Sequence, residues 1–253
     1  MVKIYGKLSS EVYGIDKYIG KSYGDVEYYG ERLNGVKGKV LEPAVGNGRI
    51  LIPLLEKGFE IEGFDFSEDM LDLFAKQCKE KGLDSSISKL DMANFSMGRT
   101  YQAVIVPTGS FLLLHKLEDS INALNCFYEH LEENGKLILD ILLPDRFEIV
   151  FVSKRVFTNQ QGESITLEET LVEVDQINQY RTFHNRYEKW RDGELISSEH
   201  EIFPLKWYGV EEFRLMLEKA GFSDIVISSD YNYQDYPTHV SQIITFEAKK
   251  ANL

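Results

Sequence analysis

From residue 39 onward, short apolar runs alternate with amphipathic stretches, the pattern of strands feeding helices. Residues 39–43 predict a strand, 47–57 a helix stopped by Gly58, 60–65 a second strand and 67–81 a second helix. Ser67 is an N-cap residue type, followed by Glu68 and Asp69, where negative charge suits the helix dipole; Gly82 ends that helix. Strands at 86–90 and 102–106, a helix at 116–132 and a strand at 136–143, preceded by the Asn134-Gly135 turn signal, continue the alternation. This order predicts an α/β fold with a doubly wound parallel sheet covered on both faces and a ligand crevice at the strands' carboxyl ends.

The texture changes near Pro144. Residues 153–206 are rich in β-branched and aromatic side chains with polar ones between them, and Gln161-Gly162 and Asp192-Gly193 fall between the runs. They predict an antiparallel meander of about four strands. A helix at 210–220, ended by Gly221, and strands at 224–228 and 241–248 would rejoin the first sheet, which makes the meander an insertion. Residues 1–37 carry tyrosines at 5, 13, 18, 23, 28 and 29 without a heptad spacing. Short helices over a surface are expected there, their rings either packing against the core or lidding a pocket. The chain thus divides into N-terminal helices (1–37), an α/β core (38–148 and 207–253) and a β insertion (149–206).

Composition narrows the function classes. A length of 253 residues suits one domain with an appendage, and a formal net charge of −13 disfavours a nucleic-acid surface, which needs clustered Lys and Arg. The two cysteines, Cys78 and Cys126, form no CxxC or Cys/His cluster, so no metal is expected and a reduced, cytoplasmic setting fits. The first ten residues lack an apolar signal core, and no run approaches the ~18 apolar residues of a membrane span.

Candidate chemistry gathers at VLEPAVGNGRI, residues 40–50, a strand end, a tight turn with Gly46 and Gly48, and a helix start. Such a turn lets a ligand approach the main chain. A dinucleotide fingerprint would need glycine at 51, where Leu51 stands. Three predicted strand ends carry acids: Glu42, Asp65 and Asp91. Each could be a turn or capping carboxylate; together they suit a positively charged nucleoside, with Asp65 about twenty residues past the turn, where an acid can accept from a ribose diol.

The ordered set VLEPAVGNGRI, FDFSEDM, LDM and VIVPTGSF, with the later GVEEFRLMLEKAGF, resembles the class I S-adenosylmethionine-dependent methyltransferases. The resemblance implies a seven-stranded sheet whose last strand is antiparallel. It places Glu42 and the turn Ala44, Gly46, Asn47 and Gly48 around the methionine moiety, and Asp65 on the ribose with Phe66 and Met70 beside it. Asp91 and Met92 would meet adenine, and Pro107 and Ser110 would border the methyl-transfer site. The product would be S-adenosylhomocysteine. Ala44 stands where the family usually has its first glycine, and is tolerable if its φ is negative. No Asn/Asp-Pro-Pro-aromatic run follows residue 106 and neither cysteine follows proline, which favours a small-molecule acceptor over nucleic acid.

Methyl transfer needs an aligned nucleophile, and a hydroxyl acceptor also needs a base. His115, His184 and His200 are candidates, His115 more in keeping with packing or capping; the catalytic assignment stays open. Tyr13, Tyr23, Ser110, His184 and Tyr187 are candidate acceptor-pocket residues, and the insertion either roofs the acceptor or joins two copies into a homodimer. A methyltransferase acting on nitrogen or oxygen is the main expectation; a non-catalytic S-adenosylmethionine-binding regulator is the alternative, ahead of an RNA or protein methyltransferase.

Overall fold

The computed structural model describes residues 4–83 and 87–251. Two helices, α1 (Lys7–Asp16) and α2 (Asp25–Arg32), precede a core made of β1 (Val40–Pro43), α3 (Leu51–Glu56), β2 (Ile61–Asp65), α4 (Glu68–Lys81), β3 (Ile87–Lys89), β4 (Tyr101–Val106), a 3-10 turn (Ser110–Leu113), α5 (Leu117–His130) and β5 (Leu131–Leu142). The inserted strands β6 (Val152–Thr158), β7 (Ser164–Asp175), β8 (Tyr180–Arg191) and β9 (Glu194–Lys206) come next. The chain closes with α6 (Val210–Lys219), β10 (Phe222–Ser229) and β11 (Ile243–Lys250). The core sheet has the order β10-β11-β5-β4-β1-β2-β3, with β11 antiparallel to both its neighbours, and β6 to β9 form a separate antiparallel sheet in sequence order. No described helix is long and apolar enough to cross a membrane.

Alternation along one strand explains the two-faced core. On β4, Ala103 and Ile105 enter the cluster that includes Tyr29, Leu51 and Phe74, whereas Val104 and Val106 enter the opposite cluster with Phe127, Phe213 and Phe246. Because both faces are covered, the strand reads as a continuous apolar run. Helix α4 follows its local code: the Ser67 hydroxyl accepts from the Met70 N–H at 3.2 Å, Lys79 and Lys81 lie in the last turn, and Gly82 takes the left-handed conformation with φ 65°.

Among the departures from the sequence pattern are two boundaries and one backbone conformation. The expected helix at 47–57 begins only at Leu51, because Ala44, Gly46 and Gly48 all have positive φ (56°, 57° and 84°) and keep the chain turning. Ala44, which the turn tolerates without strain only at negative φ, is left-handed, a conformation that costs a non-glycine residue about 1 kcal/mol or more. The strand expected at 136–143 already pairs at Leu131, and Asn134, with φ 60°, sits in an irregularity of the ladder to β4, not in a turn before it. Of the strand expected at 86–90, residue 86 lies outside the described residues.

The N-terminal segment is wedged between core and insertion. Leu8 and Val12 of α1 pack on Ile165, Leu167 and Tyr187 of the inserted sheet. Glu199 on β9 accepts from the Leu8 and Ser9 N–H groups at 2.9 and 3.2 Å, satisfying donors that a helix start leaves open. Glu201, buried, accepts from the Tyr5 N–H at 2.6 Å, Asn185 Nδ2 at 3.0 Å and the Tyr187 hydroxyl at 3.2 Å. Glu201→Ala would leave those donors unpaired. We expect a loss of about 2–4 kcal/mol in urea unfolding and faster proteolysis within residues 4–16; an unchanged midpoint and cleavage rate would disprove this anchoring.

Candidate active site

The turn after β1 is fixed by the acid ending β2. Asp65 Oδ2 accepts from the Gly46 N–H at 2.8 Å and Oδ1 from the Ser67 N–H at 2.8 Å. One carboxylate therefore ties the turn to the start of α4. Burial pushes the Asp65 carboxyl above its ordinary range, opposed by these N–H bonds. The Ser67 hydroxyl also donates to the Tyr5 carbonyl at 2.6 Å, which draws the N-terminal segment over the same spot.

A cleft of about 200 Å³ opens beside this clamp. Ala44, Gly46, Asp65, Phe66, Met70, Asp91 and Met92 border one part of it, and Leu113, Leu114, His115, Asp119 and Pro204 another, with Ile4, Tyr5 and Tyr13 over them. A much smaller pocket adjoins it through the shared residues Tyr13, Ala44 and Ser110, and is lined by Glu42, Asn47, Arg49, Pro107 and Thr108 among others. Two buried atoms of opposite charge type in this side pocket, Glu42 Oε2 and Arg49 Nε, have no hydrogen-bond partner among the described residues. Desolvation holds the Glu42 carboxyl well above its usual range, only partly opposed by the Arg49 charge. A buried acceptor and donor left open side by side are the features a zwitterionic ligand would satisfy.

The rest of Arg49 is engaged. Its Nη1 donates to Asp25 Oδ1 at 3.0 Å and to the Lys21 carbonyl at 3.1 Å, and its Nη2 pairs with Asp25 Oδ2. Burial pulls the Asp25 carboxyl upward, but the bonds and charge of Arg49 outweigh it and leave it below the ordinary value. On the other side, buried Asp140 accepts from the Thr108 N–H at 2.8 Å, the Tyr231 hydroxyl at 3.1 Å and Thr245 Oγ1 at 2.7 Å. These bonds hold the loop 107–110, where Thr108 has φ 58°; desolvation raises the Asp140 carboxyl to about 6.

The residues expected from the sequence separate into three groups. Ala44, Gly46, Asp65, Phe66, Met70, Asp91, Met92, Tyr13 and Ser110 line the cleft. Glu42, Asn47 and Pro107 line only the side pocket, and Asn47 also donates to the Lys17 carbonyl at 2.7 Å. Gly48 lines neither: its φ of 84° and a Phe74 ring carbon 2.6 Å from where a Cβ would sit make it a packing glycine. Three expected acceptor residues are elsewhere. Tyr23 is exposed and stacks with Lys17, Lys21 and Arg49; His184 packs edge-on to His200, 5.1 Å between ring centres; Tyr187 is buried under α1 on Glu201. Asn185 and Tyr187 show that this face of β8 meets α1, and of the inserted strands Pro204 alone borders the cleft among the described residues.

Sequence reading passed over Arg49, Tyr5 and Asp119 and ranked His115 as packing. Arg49 stood next to the turn, and His115 precedes α5 while Asp119 lies in its first turn, signals that only the tertiary contacts make specific. Burial, with the charge of Lys116 next, holds the His115 imidazole below its ordinary value, so it is neutral at pH 7. Burial pushes the Tyr13 phenol up to about 12, so it stays protonated.

Comparison with known proteins accords with this geometry. Residues 40–135 match the family model described as a methyltransferase domain. The chain is 26% identical to the protein YqeM of Bacillus subtilis (strain 168), covering 85% of each chain, and 28% identical to a glycine/sarcosine N-methyltransferase of Aphanothece halophytica, covering 86% of this chain and 80% of that one. The solved structure of the sugar N-methyltransferase KedS8 from Streptoalloteichus sp. ATCC 53650 shares the fold, with a TM-score of 0.75 at 17% identity over 100% of this chain and 98% of that one.

The buried pair beneath the side pocket gives a direct check. Asp25→Ala strands the Arg49 charge, and we expect a loss of about 3–5 kcal/mol in urea unfolding, as for other buried pairs broken on one side; a loss under about 1 kcal/mol would show that Arg49 does not depend on Asp25.

Proposed function

We propose that this S-adenosylmethionine-dependent methyltransferase, which acts on a small-molecule acceptor, methylates a nitrogen atom. The observation that carries the reading is the side pocket in which buried Glu42 and Arg49 each leave one polar atom open, next to a cleft where Asp65 clamps the turn. Glu42 takes the ammonium and Arg49 Nε the carboxylate of the methionine end. Asp65 accepts from the ribose, and Asp91 and Met92 hold adenine. When bound, S-adenosylmethionine would supply a methyl group activated on a sulfonium, open to in-line attack by an amine lone pair, with S-adenosylhomocysteine as the leaving group.

The protein's own part is alignment, exclusion of water and removal of a proton. Residues 4–16 act as the lid, anchored on Glu199 and Glu201 of the inserted sheet. Tyr13, protonated, donates a hydrogen bond across the junction of cleft and side pocket. His115, neutral at working pH, accepts the proton that the amine loses. The names of the glycine/sarcosine relative and of KedS8 support nitrogen over oxygen.

Asp65→Ala should weaken S-adenosylmethionine binding at least tenfold by calorimetry, about 1.4 kcal/mol, the lower end for a hydrogen bond to a charged group; unchanged affinity would sink the ribose assignment. His115→Gln should lower kcat roughly a hundredfold. In the native enzyme kcat should fall only once the pH drops below the ordinary histidine value, as the imidazole takes a proton, and the variant should lack that limb. A variant that keeps the limb would remove His115 from the role. Tight cofactor binding with no methylation across a panel of amines, phenols and acids would favour a regulatory protein instead.

A further inference from the structure

Three carboxylates, Asp65, Asp91 and Asp119, line the cleft, and among the described residues no Lys or Arg does. The cation of the side pocket, Arg49, is held by Asp25 and the Lys21 carbonyl and lines that pocket with Glu42, which His115 and Asp119 do not border. Two cations act on His115 from outside the cleft lining. Lys116 is exposed, and Lys206 donates to the Asn178 carbonyl at 2.5 Å and lies 5.2 Å from the Tyr208 ring centre. Asp119 makes no hydrogen bond or ion pair to a described residue, so its carboxylate is open to a ligand, and Leu113, Leu114 and Pro204 give the surroundings an apolar wall.

From this charge pattern we propose that the acceptor is an amine flanked by hydroxyl and hydrocarbon groups, of the aminopolyol or amino-sugar type, and not an α-amino acid. The inference rests on the N-methylation reading above and deepens it. An ammonium entering the cleft meets Asp119, which attracts it, and His115, which takes a proton before or as the C–N bond forms. A carboxylate one carbon away from that nitrogen would enter beside Asp119 with no cation in the cleft lining to offset it, a like-charge contact in a partly desolvated site. Hydroxyls have no such cost, and Ser110, Tyr5 and Asp119 can each hydrogen-bond to them. Of the two acceptor types in the relatives' names, the cleft's charge fits the sugar amine and opposes glycine.

The test uses the full chain loaded with S-adenosylhomocysteine for calorimetry, and with S-adenosylmethionine for turnover read by mass spectrometry of the acceptor. The probes are 3-amino-3-deoxyglucose, its uronic acid counterpart, glycine and sarcosine. The acid-free amine should bind, and should exceed the three carboxylate-bearing probes at least tenfold in kcat/KM. Asp119→Asn should shrink that ratio by about tenfold while S-adenosylhomocysteine affinity stays unchanged, and Asp119→Glu should keep it. Equal or better use of glycine or sarcosine, a ratio unmoved in Asp119→Asn, or no amine binding to the loaded protein would each overturn the proposal. Failure of the native chain to bind S-adenosylhomocysteine, or methylation of hydroxyl acceptors only, would overturn the underlying reading together with it, whereas preference for an amino acid overturns this inference alone.

Discussion

The Asp65 carboxylate organises more of this molecule than its size suggests. Each of its oxygens accepts one backbone N–H, from Gly46 of the turn and from Ser67 at the cap of α4. Ser67 passes the constraint on to the Tyr5 carbonyl, and the Tyr5 N–H ends on Glu201 of the inserted sheet. A continuous line of hydrogen bonds thus runs from the first crossover of the core, through the N-terminal segment, to the insertion. Each link is short, and each is at least partly buried, where an unmade bond costs more than at the surface. The cleft lies along this line, so the groups that shape it are the groups that hold the three parts of the chain together.

Electrostatics in the site follows from burial and not from the net charge. The buried carboxylates Glu42, Asp65 and Asp140 are pushed upward by desolvation, while Asp25, equally hidden, is held low because Arg49 grips it. The buried Arg49 guanidinium therefore does two jobs: it locks the stretch leading into α2 to the turn, and it leaves its remaining nitrogen unpaired in the pocket that Glu42 also lines. The main cleft, by contrast, carries carboxylates and, among the described residues, no lining cation, an asymmetry between neighbouring pockets on which the proposed zwitterion and amine sites rest.

Much of this was legible in local sequence. The strand and helix periods gave the core alternation, Ser67 and Gly82 bracketed α4, and Asp192-Gly193 gave the hairpin of β8 and β9, with φ 52° and 82°. The turn 44–48 and the acids at 42, 65 and 91 pointed to the crevice. Illegible were the start of α3, where left-handed residues at 44, 46 and 48 delay the helix, and the irregularity at Asn134, where a turn signal is absorbed into a strand. Both depend on backbone conformations that neighbouring strands impose, and propensity scales do not carry that information.

By itself, the sequence determined the sheet, the order of its elements, the inserted meander and the kind of ligand the crevice admits, because these rest on periodicity and on residues near one another along the chain. Tertiary structure decided the rest. It withdrew Tyr187 to the underside of α1 and His184 to the opposite strand face, since a strand's two faces cannot be told apart until something packs on one of them. It brought His115 from the loop before α5, Asp119 of α5 and Pro204 of β9 to one cleft, and matched Arg49 with Asp25 across 24 residues of chain. Those pairings come from desolvation and contact at a distance, and no local pattern in the chain encodes them.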